Sequence, residues 1–367
     1  MNLFCNSPRL FQLADRLSFS QPQKIYLENL QGSSAEFYTA AIFEHPSCSQ
    51  FNHLIVLNDA EDAAYFHNTL ENLTGALDIF YFPASFKQRK NFSLLNSSHV
   101  MLRTESLTKI ASQLNSAGTV NKKVLVTYPE ALFEKVVVPD TLSSNIVFIK
   151  NGDTIDTGAL LLKLGDFGFE RTDFVYEPGQ FAIRGGILDI YSFGNEKPYR
   201  IELFGNEVDS IRIVDPETQL SERKLLQVSI IPNIETQFVN KEKISLLEFL
   251  PANTIIWMRD EELVYARLRD AEDELRYFFE HKDVVERSRD NSADQPQQVN
   301  FTREDFIRAD IFEKQIEDRS CVYFGDEPRN RQSLLAIQSD TRSQPAFNRR
   351  FDLLIDDLKS WELKGFT

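Results

Sequence analysis

The chain has 367 residues, with 40 Lys and Arg against 55 Asp and Glu and a formal net charge of -15. That length predicts two or three domains with real cores, and that charge excludes a broad basic field gripping phosphate backbones, because such a field needs clustered Lys and Arg. Cys5, Cys48 and Cys321 are far apart and form no C-x-x-C pair, so neither a disulfide framework nor a zinc site is expected, and a reducing cytoplasm is the plain inference. The N-terminus lacks the charged start, apolar stretch and cleavage site of a signal peptide, and no apolar run reaches membrane-span length.

Apolar residues at helical spacing predict a first helix over Pro8–Leu17. A short strand at Ile25–Leu27, a Gly-Ser-Ser turn and a helix from about Ala35 to Glu44 follow. A buried-strand run at His53–Asp59, a helix over Ala60–Leu73 and a strand over Ala76–Pro83 continue the alternation. Strand and helix in turn are the signature of a parallel sheet with crossover helices. Residues Ala84–Ser98 are polar, with a small basic cluster at Lys87, Arg89 and Lys90, and read as a surface loop. Met101–Leu114 reads as helix, Lys123–Leu132 as a strand ending in a turn, and Phe133–Pro139 as a short extended exit.

From Asn145 the pattern changes to a strand, a helix over Thr157–Gly168, and then a strand-rich stretch from Phe169 to Ser221. Within it Phe181–Phe193 carries an apolar strand after Arg-Gly-Gly. Pro198–Asp215 alternates apolar and polar residues around Gly205-Asn206, which is a hairpin pattern. Val228–Asn233 ends this α+β unit. Phe249–Val264 returns to a strand-then-helix reading, so the unit interrupts the first domain. Asp260–Ser288 reads as a long charged helix with apolar Leu263, Leu268, Leu275 and Phe278 or Phe279, and a loop begins at Arg289. Asp318–Pro328 holds a strand, Gln344–Asn348 a turn and Phe351–Leu363 a helix. The expected organisation is an α/β parallel-sheet domain over 1–140 and 233–343, an inserted α+β domain over 141–232, and the truncated start of a following domain over 344–367.

Chemistry is sparse. A phosphate would be cradled at the first strand-helix turn, by backbone N–H groups of a glycine-rich loop and a helix N-terminus. Here that turn is Gly32-Ser33-Ser34, with one glycine and no Lys before the Ser, so an ordinary helix cap by Ser33 or Ser34 is expected instead of a nucleotide site. The five histidines show no metal-ligand spacing, and no metal site is expected. Carboxylates around Asp260–Glu274 lie among Arg267, Arg269 and Arg276 and read as a solvated helix face. There remain Arg171, Arg184 and Tyr191, residue types favoured as interface anchors. They either form a docking face, or Arg184 pairs with Asp189 or Glu202 while Tyr191 packs in the core.

The run from Val175 to Ser221, with E-P-G-Q-F-A-I-R-G-G-I-L-D-I, P-Y-R-I-E-L-F-G-N-E-V-D-S-I-R and D-P-E-T-Q-x-S, resembles bacterial transcription-repair coupling factors, the Mfd family, and more distantly the excision-repair protein UvrB. The resemblance implies a discontinuous helicase-like α/β domain with a degenerate P-loop and an inserted domain that docks UvrA. It places Arg171 and Arg184 on basic positions of the docking surface and Tyr191 on an aromatic one. It further implies a non-catalytic module without its own cofactor, ATP and Mg belonging to motor domains elsewhere in the family. Further partners would be those motor domains, through autoinhibition, and RNA polymerase and DNA through C-terminal domains; no membrane is implied. The competing readings are a UvrB-like ATP-dependent enzyme and an autoinhibitory module.

Overall fold

Strands of a parallel sheet covered by helices on both faces are buried on both sides and so read as near-continuous apolar runs. The chain follows this rule in the computed structural model, which describes residues 7–75, 78–88, 91–114, 122–233, 241–287, 301–339, 341, 347 and 349–363. After helix α1 (Pro8–Leu17) come β1 (Lys24–Glu28), α2 (Ser34–Glu44), β2 (Asn52–Val56), α3 (Ala60–Thr74) and β3 (Ile79–Tyr81). Next are β4 (Phe86–Gln88), β5 (Asn91–Leu95), α4 (Ser97–Leu114), β6 (Val124–Thr127), α5 (Pro129–Phe133), β7 (Val136–Val137) and α6 (Pro139–Ser144). The α3 helix shows how local chemistry sets its ends. The Asp59 carboxylate accepts the Asp62 N–H at its start, and Gly75 adopts φ 62° at its close.

A second unit then follows: β8 (Val147–Lys150), α7 (Thr157–Asp166), β9 (Glu170–Arg171), β10 (Gln180–Arg184), β11 (Ile187–Ile190), β12 (Tyr199–Phe204), β13 (Glu207–Val214), β14 (Ser221–Leu225) and β15 (Gln227–Ile230). Six of these strands form one sheet in the order β14-β13-β12-β11-β10-β9, and β8 pairs with β15. Period-two alternation sends Phe181, Leu188, Ile190, Tyr199 and Ile201 to a core shared with Leu160 and Leu164 of α7. The expected hairpin turn is Gly205-Asn206, with Gly205 at φ 65°, a conformation that L side chains resist.

The chain returns through β16 (Lys243–Ile244), α8 (Leu246–Phe249), β17 (Thr254–Arg259), α9 (Glu261–Arg287), α10 (Ala309–Glu317), β18 (Cys321–Phe324), β19 (Leu335–Gln338) and α11 (Phe351–Leu363). The parallel sheet runs β19-β1-β18-β17-β2-β6-β3. Its central strand β17, which follows the second unit in sequence, pairs with β2, which precedes it. The second unit is therefore inserted into a helicase-like α/β domain, and β7 pairing with β16 ties its two crossings together. Val100 of α4 reaches the core of the insert, and Met101 packs beside Tyr191, so the two units share a seam.

Several expectations change. The stretch read as a loop over 84–98 contains the β4–β5 hairpin, held because Phe86 and Phe92 join Phe301 and Phe306 in an aromatic cluster. Beneath it, fully buried Arg103 stacks over Phe82 at 4.4 Å and pairs with Glu134 at 3.4 Å. Arg89, Lys90 and the Lys87 side chain fall outside the described residues, as does most of the expected 344–348 turn. The turn expected to end the Lys123–Leu132 strand is the short helix α5, while the exit over Phe133–Pro139 is extended as expected, with Glu134 bridging Phe306 and the two-residue strand β7. Leu263 is exposed, whereas Leu268, Leu275 and Phe278 are buried. No helix among the described residues is long and apolar enough to cross a membrane.

Candidate functional site

Two surfaces hold the residues singled out from sequence. The first is the carboxyl edge of the parallel sheet, where α/β proteins bind ligands. After β1 the backbone turns through Asn29 at φ 59° and Gly32 at φ 55° into α2. Ser33 occupies the N-cap position but makes no side-chain cap bond, and the Ser34 hydroxyl is buried without a partner among the described residues. The expected serine cap is thus absent. The reason lies across the sheet edge, in the segment after β19. Thr341 Oγ1 donates to the Asn29 carbonyl at 2.6 Å and accepts the Gln31 N–H at 3.2 Å, while Asn29 Nδ2 reaches the Thr341 carbonyl at 3.2 Å. This strap, not a serine, fixes the loop.

The neighbouring strand ends are equally engaged. Glu28 pairs with Arg331. Asp260, at φ 45°, accepts the Asn58 amide at 2.6 Å and the Asp326 N–H at 2.5 Å. Gly325 makes that approach possible: a Cβ there would lie 2.0 Å from Asp260 Oδ1. Glu261 accepts the Arg329 N–H at 2.8 Å, and Glu262 pairs with the Arg329 side chain. Burial pushes the Tyr26 hydroxyl above its ordinary pKa, and the Glu28, Glu327 and Asp326 carboxylates push the same way. The edge is acidic and internally bonded.

The second surface is the face of the inserted sheet that points away from its core. Because Phe181 and Ile183 face the core, Ala182 and Arg184 face outward. Strand register extends this into a row, Ala182–Asp189–Arg200–Arg212–Lys224. Asp189, 2% exposed, organises it: it accepts Arg184 Nη2 at 2.5 Å, Arg200 Nε at 2.8 Å and Arg200 Nη2 at 2.9 Å. Arg184 also donates to the Asp173 carbonyl and lies 4.6 Å from the Phe174 ring centroid. Arg212 sits 3.5 Å from Glu202, which accepts the Ser210 hydroxyl at 2.5 Å. Phe174 is exposed beside Arg184, and Tyr176 is exposed two residues further along the same loop. Half-exposed guanidiniums next to exposed aromatic rings can fork onto a partner's carboxylates and bury rigid area at the same time.

The sequence-predicted residues separate on this framework. Arg184 lies on the outward face and pairs with Asp189 rather than Glu202. Arg171 is exposed on edge strand β9, in register with core-facing Phe181, so it shares the sheet's other side. Tyr191 is 7% exposed, packs with Val175 and Ala182, and donates its hydroxyl to the Glu196 carbonyl. The three do not form one exposed face, because strand alternation and the seam with α4 divide them. Arg200, Arg212, Lys224, Phe174 and Tyr176 were not singled out from sequence. The alternation in Y-R-I-E-L and S-I-R-I-V was the available signal: with Ile201 and Ile211 buried, Arg200 and Arg212 must point outward.

Residues 147–235, which span β8 to β15, match the family described as the UvrB interaction domain. The transcription-repair-coupling factor of Bacillus subtilis (strain 168) is 29% identical over 223 residues, 60% of this chain and 18% of that protein. That of Escherichia coli (strain K12) is 29% identical over 157 residues, 43% of this chain and 14% of its own length. A Staphylococcus epidermidis coupling factor is 33% identical over 178 residues, 48% of this chain and 14% of the relative. The chain is similar to the N-terminal region of the coupling factors. It matches less than a fifth of the length of these relatives. The interaction-domain match falls on the insert with its arginine row, not on the parallel sheet with its closed edge.

Proposed function

We propose that this chain is a non-catalytic recruitment module that binds UvrA through the outward face of the inserted sheet, in a protein that couples removal of stalled RNA polymerase to nucleotide excision repair. The observation that carries the reading is the coincidence of the interaction-domain match with the Arg184–Asp189–Arg200 network. Two arginines share one buried carboxylate, so the cluster keeps a net positive charge and unspent N–H donors on an otherwise acidic chain. Pairing to Asp189 holds both side chains in place before a partner arrives, which lowers the entropy lost on docking. At the sheet edge, the strap on the Gln31 N–H and the surrounding carboxylates disfavour a bound triphosphate, which supports a role without nucleotide chemistry in this part of the protein.

The test is a calorimetric titration of UvrA with the chain. Arg184→Glu should weaken binding by about 2 kcal/mol or more, roughly 30-fold, with the circular dichroism spectrum unchanged. Arg171→Glu, on the other side of the sheet, should weaken it far less. Equal affinity of wild type and Arg184→Glu would overturn the assignment.

A further inference from the structure

The motifs E-P-G-Q at Glu177–Gln180 and D-P-E-T-Q-x-S at Asp215–Ser221 contribute no side chain to the Arg184–Asp189–Arg200 network. Their glutamines hold a loop instead, residues 172–179 between β9 and β10, which carries the exposed Phe174 and Tyr176. Gln180 Oε1 accepts the Tyr176 N–H at 2.9 Å and the Glu177 N–H at 3.0 Å. From the other side, Gln219 Nε2 donates to the Val175 carbonyl at 3.1 Å and to the Pro216 carbonyl at 2.7 Å. Each amide end faces two groups of one kind, N–H donors at Gln180 and carbonyls at Gln219, so a flip of either amide would lose both bonds. Between these ties the Val175 side chain, 1% exposed, plugs the loop into the seam with Ala182 and Tyr191, and Met101 of α4 packs against them.

Gln219 holds its place against its own backbone. Its φ of 60° lies in the left-handed region, which glycine adopts freely and a residue with a Cβ does not. The turn is made without its side chain: Asp215 Oδ1 accepts the Glu217 N–H at 3.2 Å and the Thr218 N–H at 2.8 Å, and the Asp215 carbonyl accepts the Gln219 N–H at 2.8 Å. What the side chain adds outside the turn is the bond to Val175. A strained residue that makes one bond beyond its own turn points to what that bond secures.

We propose that Gln180 and Gln219 are positioning residues for UvrA docking, holding loop 172–179 in one conformation so that Phe174 and Tyr176 form a preset aromatic contact that continues the arginine row. The inference rests on docking of UvrA at the outward face and names a second element of that face. Phe174 is joined to the row directly, with its ring centroid 4.6 Å from the Arg184 guanidinium carbon. Aromatic rings offer large area with few torsions to fix, and a loop already ordered spares the partner the entropy of ordering it.

Gln219→Gly in the full 367-residue chain tests the assignment. The change removes both side-chain bonds, relieves the positive φ and keeps the backbone carbonyl that accepts Arg200 Nη1 at 3.3 Å. The thermal melt should stay close to wild type, amide exchange at Tyr176 and Glu177 should quicken, and calorimetry should show UvrA bound about tenfold more weakly. Gln180→Ala, which frees the Tyr176 and Glu177 N–H groups, should reproduce that loss. Phe174→Ala/Tyr176→Ala should weaken binding about tenfold or more, and adding Gln219→Gly to it should weaken binding no further, because no ring remains to be positioned. Wild-type affinity in Gln219→Gly overturns the proposal, as does a full additional loss in the triple variant. If Arg184→Glu weakens binding and Phe174→Ala/Tyr176→Ala does not, the loop fails as a docking element while the arginine face stands. A wild-type chain that binds no UvrA overturns the docking reading and this inference with it.

Discussion

The carboxyl edge of the parallel sheet and the outward face of the inserted sheet are built from the same groups, arginines, carboxylates and aromatic rings, but they spend them differently. At the edge, Arg331 meets Glu28, Arg329 meets Glu262 and Glu313, and Asp260 and Glu261 accept backbone N–H groups. Charge is matched locally and loops are tied to strands. On the insert, one buried carboxylate serves two arginines, and exposed Phe174 lies beside Arg184. The difference is stoichiometric: at the edge carboxylates outnumber the arginines that meet them, which disfavours an anion, whereas on the insert two guanidiniums share one carboxylate and keep donors for one.

That contrast breaks most sharply at Asp189. It is 2% exposed and bonded to both Arg184 and Arg200, so Asp189→Ala leaves two cations with no shared counter-charge. Removing one partner of such a buried pair should cost about 3 kcal/mol of stability, read from urea denaturation of the chain. Asp189→Asn keeps the shape and some hydrogen bonding and should cost less. If Asp189→Ala proves as stable as wild type, Asp189 does not organise the face.

How much of this was readable from the residues differs by region. The parallel sheet was, because doubly buried strands carry runs such as Leu54–Val56 and Ile255–Met258 that are apolar throughout and alternate with helices. The β19 strand was not, since Leu335–Gln338 is a short edge strand with partial burial and little β character in its sequence. The β4–β5 hairpin was hidden because two phenylalanines in a polar stretch carry no period, and their partners Phe301 and Phe306 are some two hundred residues away. At the candidate docking face, residue type pointed to Arg184, but type alone could not say which side of a strand a residue takes. Register separates Arg171 from Arg184 and buries Tyr191, and register is a property of pairs of strands.

The two regions should also separate under mild acid. All five histidines lie outside the insert. His53 of β2 is held down to about 3 by burial and by the Lys122 charge, and its Nδ1 accepts the Trp257 indole N–H at 3.0 Å. Burial also lowers His99. Each is a base whose folded pKa lies below its unfolded value, so the unfolded chain takes up the proton first and stability falls as pH drops below about 6.5. One such group contributes a slope of about 1.4 kcal/mol per pH unit once the unfolded form is protonated. Glu36 and Glu261, raised by burial, act in the opposite sense at lower pH, so the clean window is from 6.5 to about 5.5. Hydrogen exchange over that window should show β2 and β17 losing protection while β11 and β12 keep theirs. Equal loss in both sheets would remove this distinction between the regions.

The smallest expected effect tests whether the edge is closed by the strap. Thr341→Val preserves the side-chain shape but removes the hydroxyl that donates to the Asn29 carbonyl and accepts the Gln31 N–H. Both bonds are solvent-exposed, so the loss should be about 1 kcal/mol or less. The variant then offers the Gln31 N–H to any anion, while still lacking a lysine before Ser33 to reach terminal phosphates and still surrounded by Glu28, Asp326 and Glu327. Calorimetry with ATP and Mg²⁺ should therefore give no saturable heat for the variant or for wild type. Binding by the variant alone would make the strap the sole barrier at a retained phosphate loop. Binding by wild type would replace the recruitment reading with an ATP-dependent one.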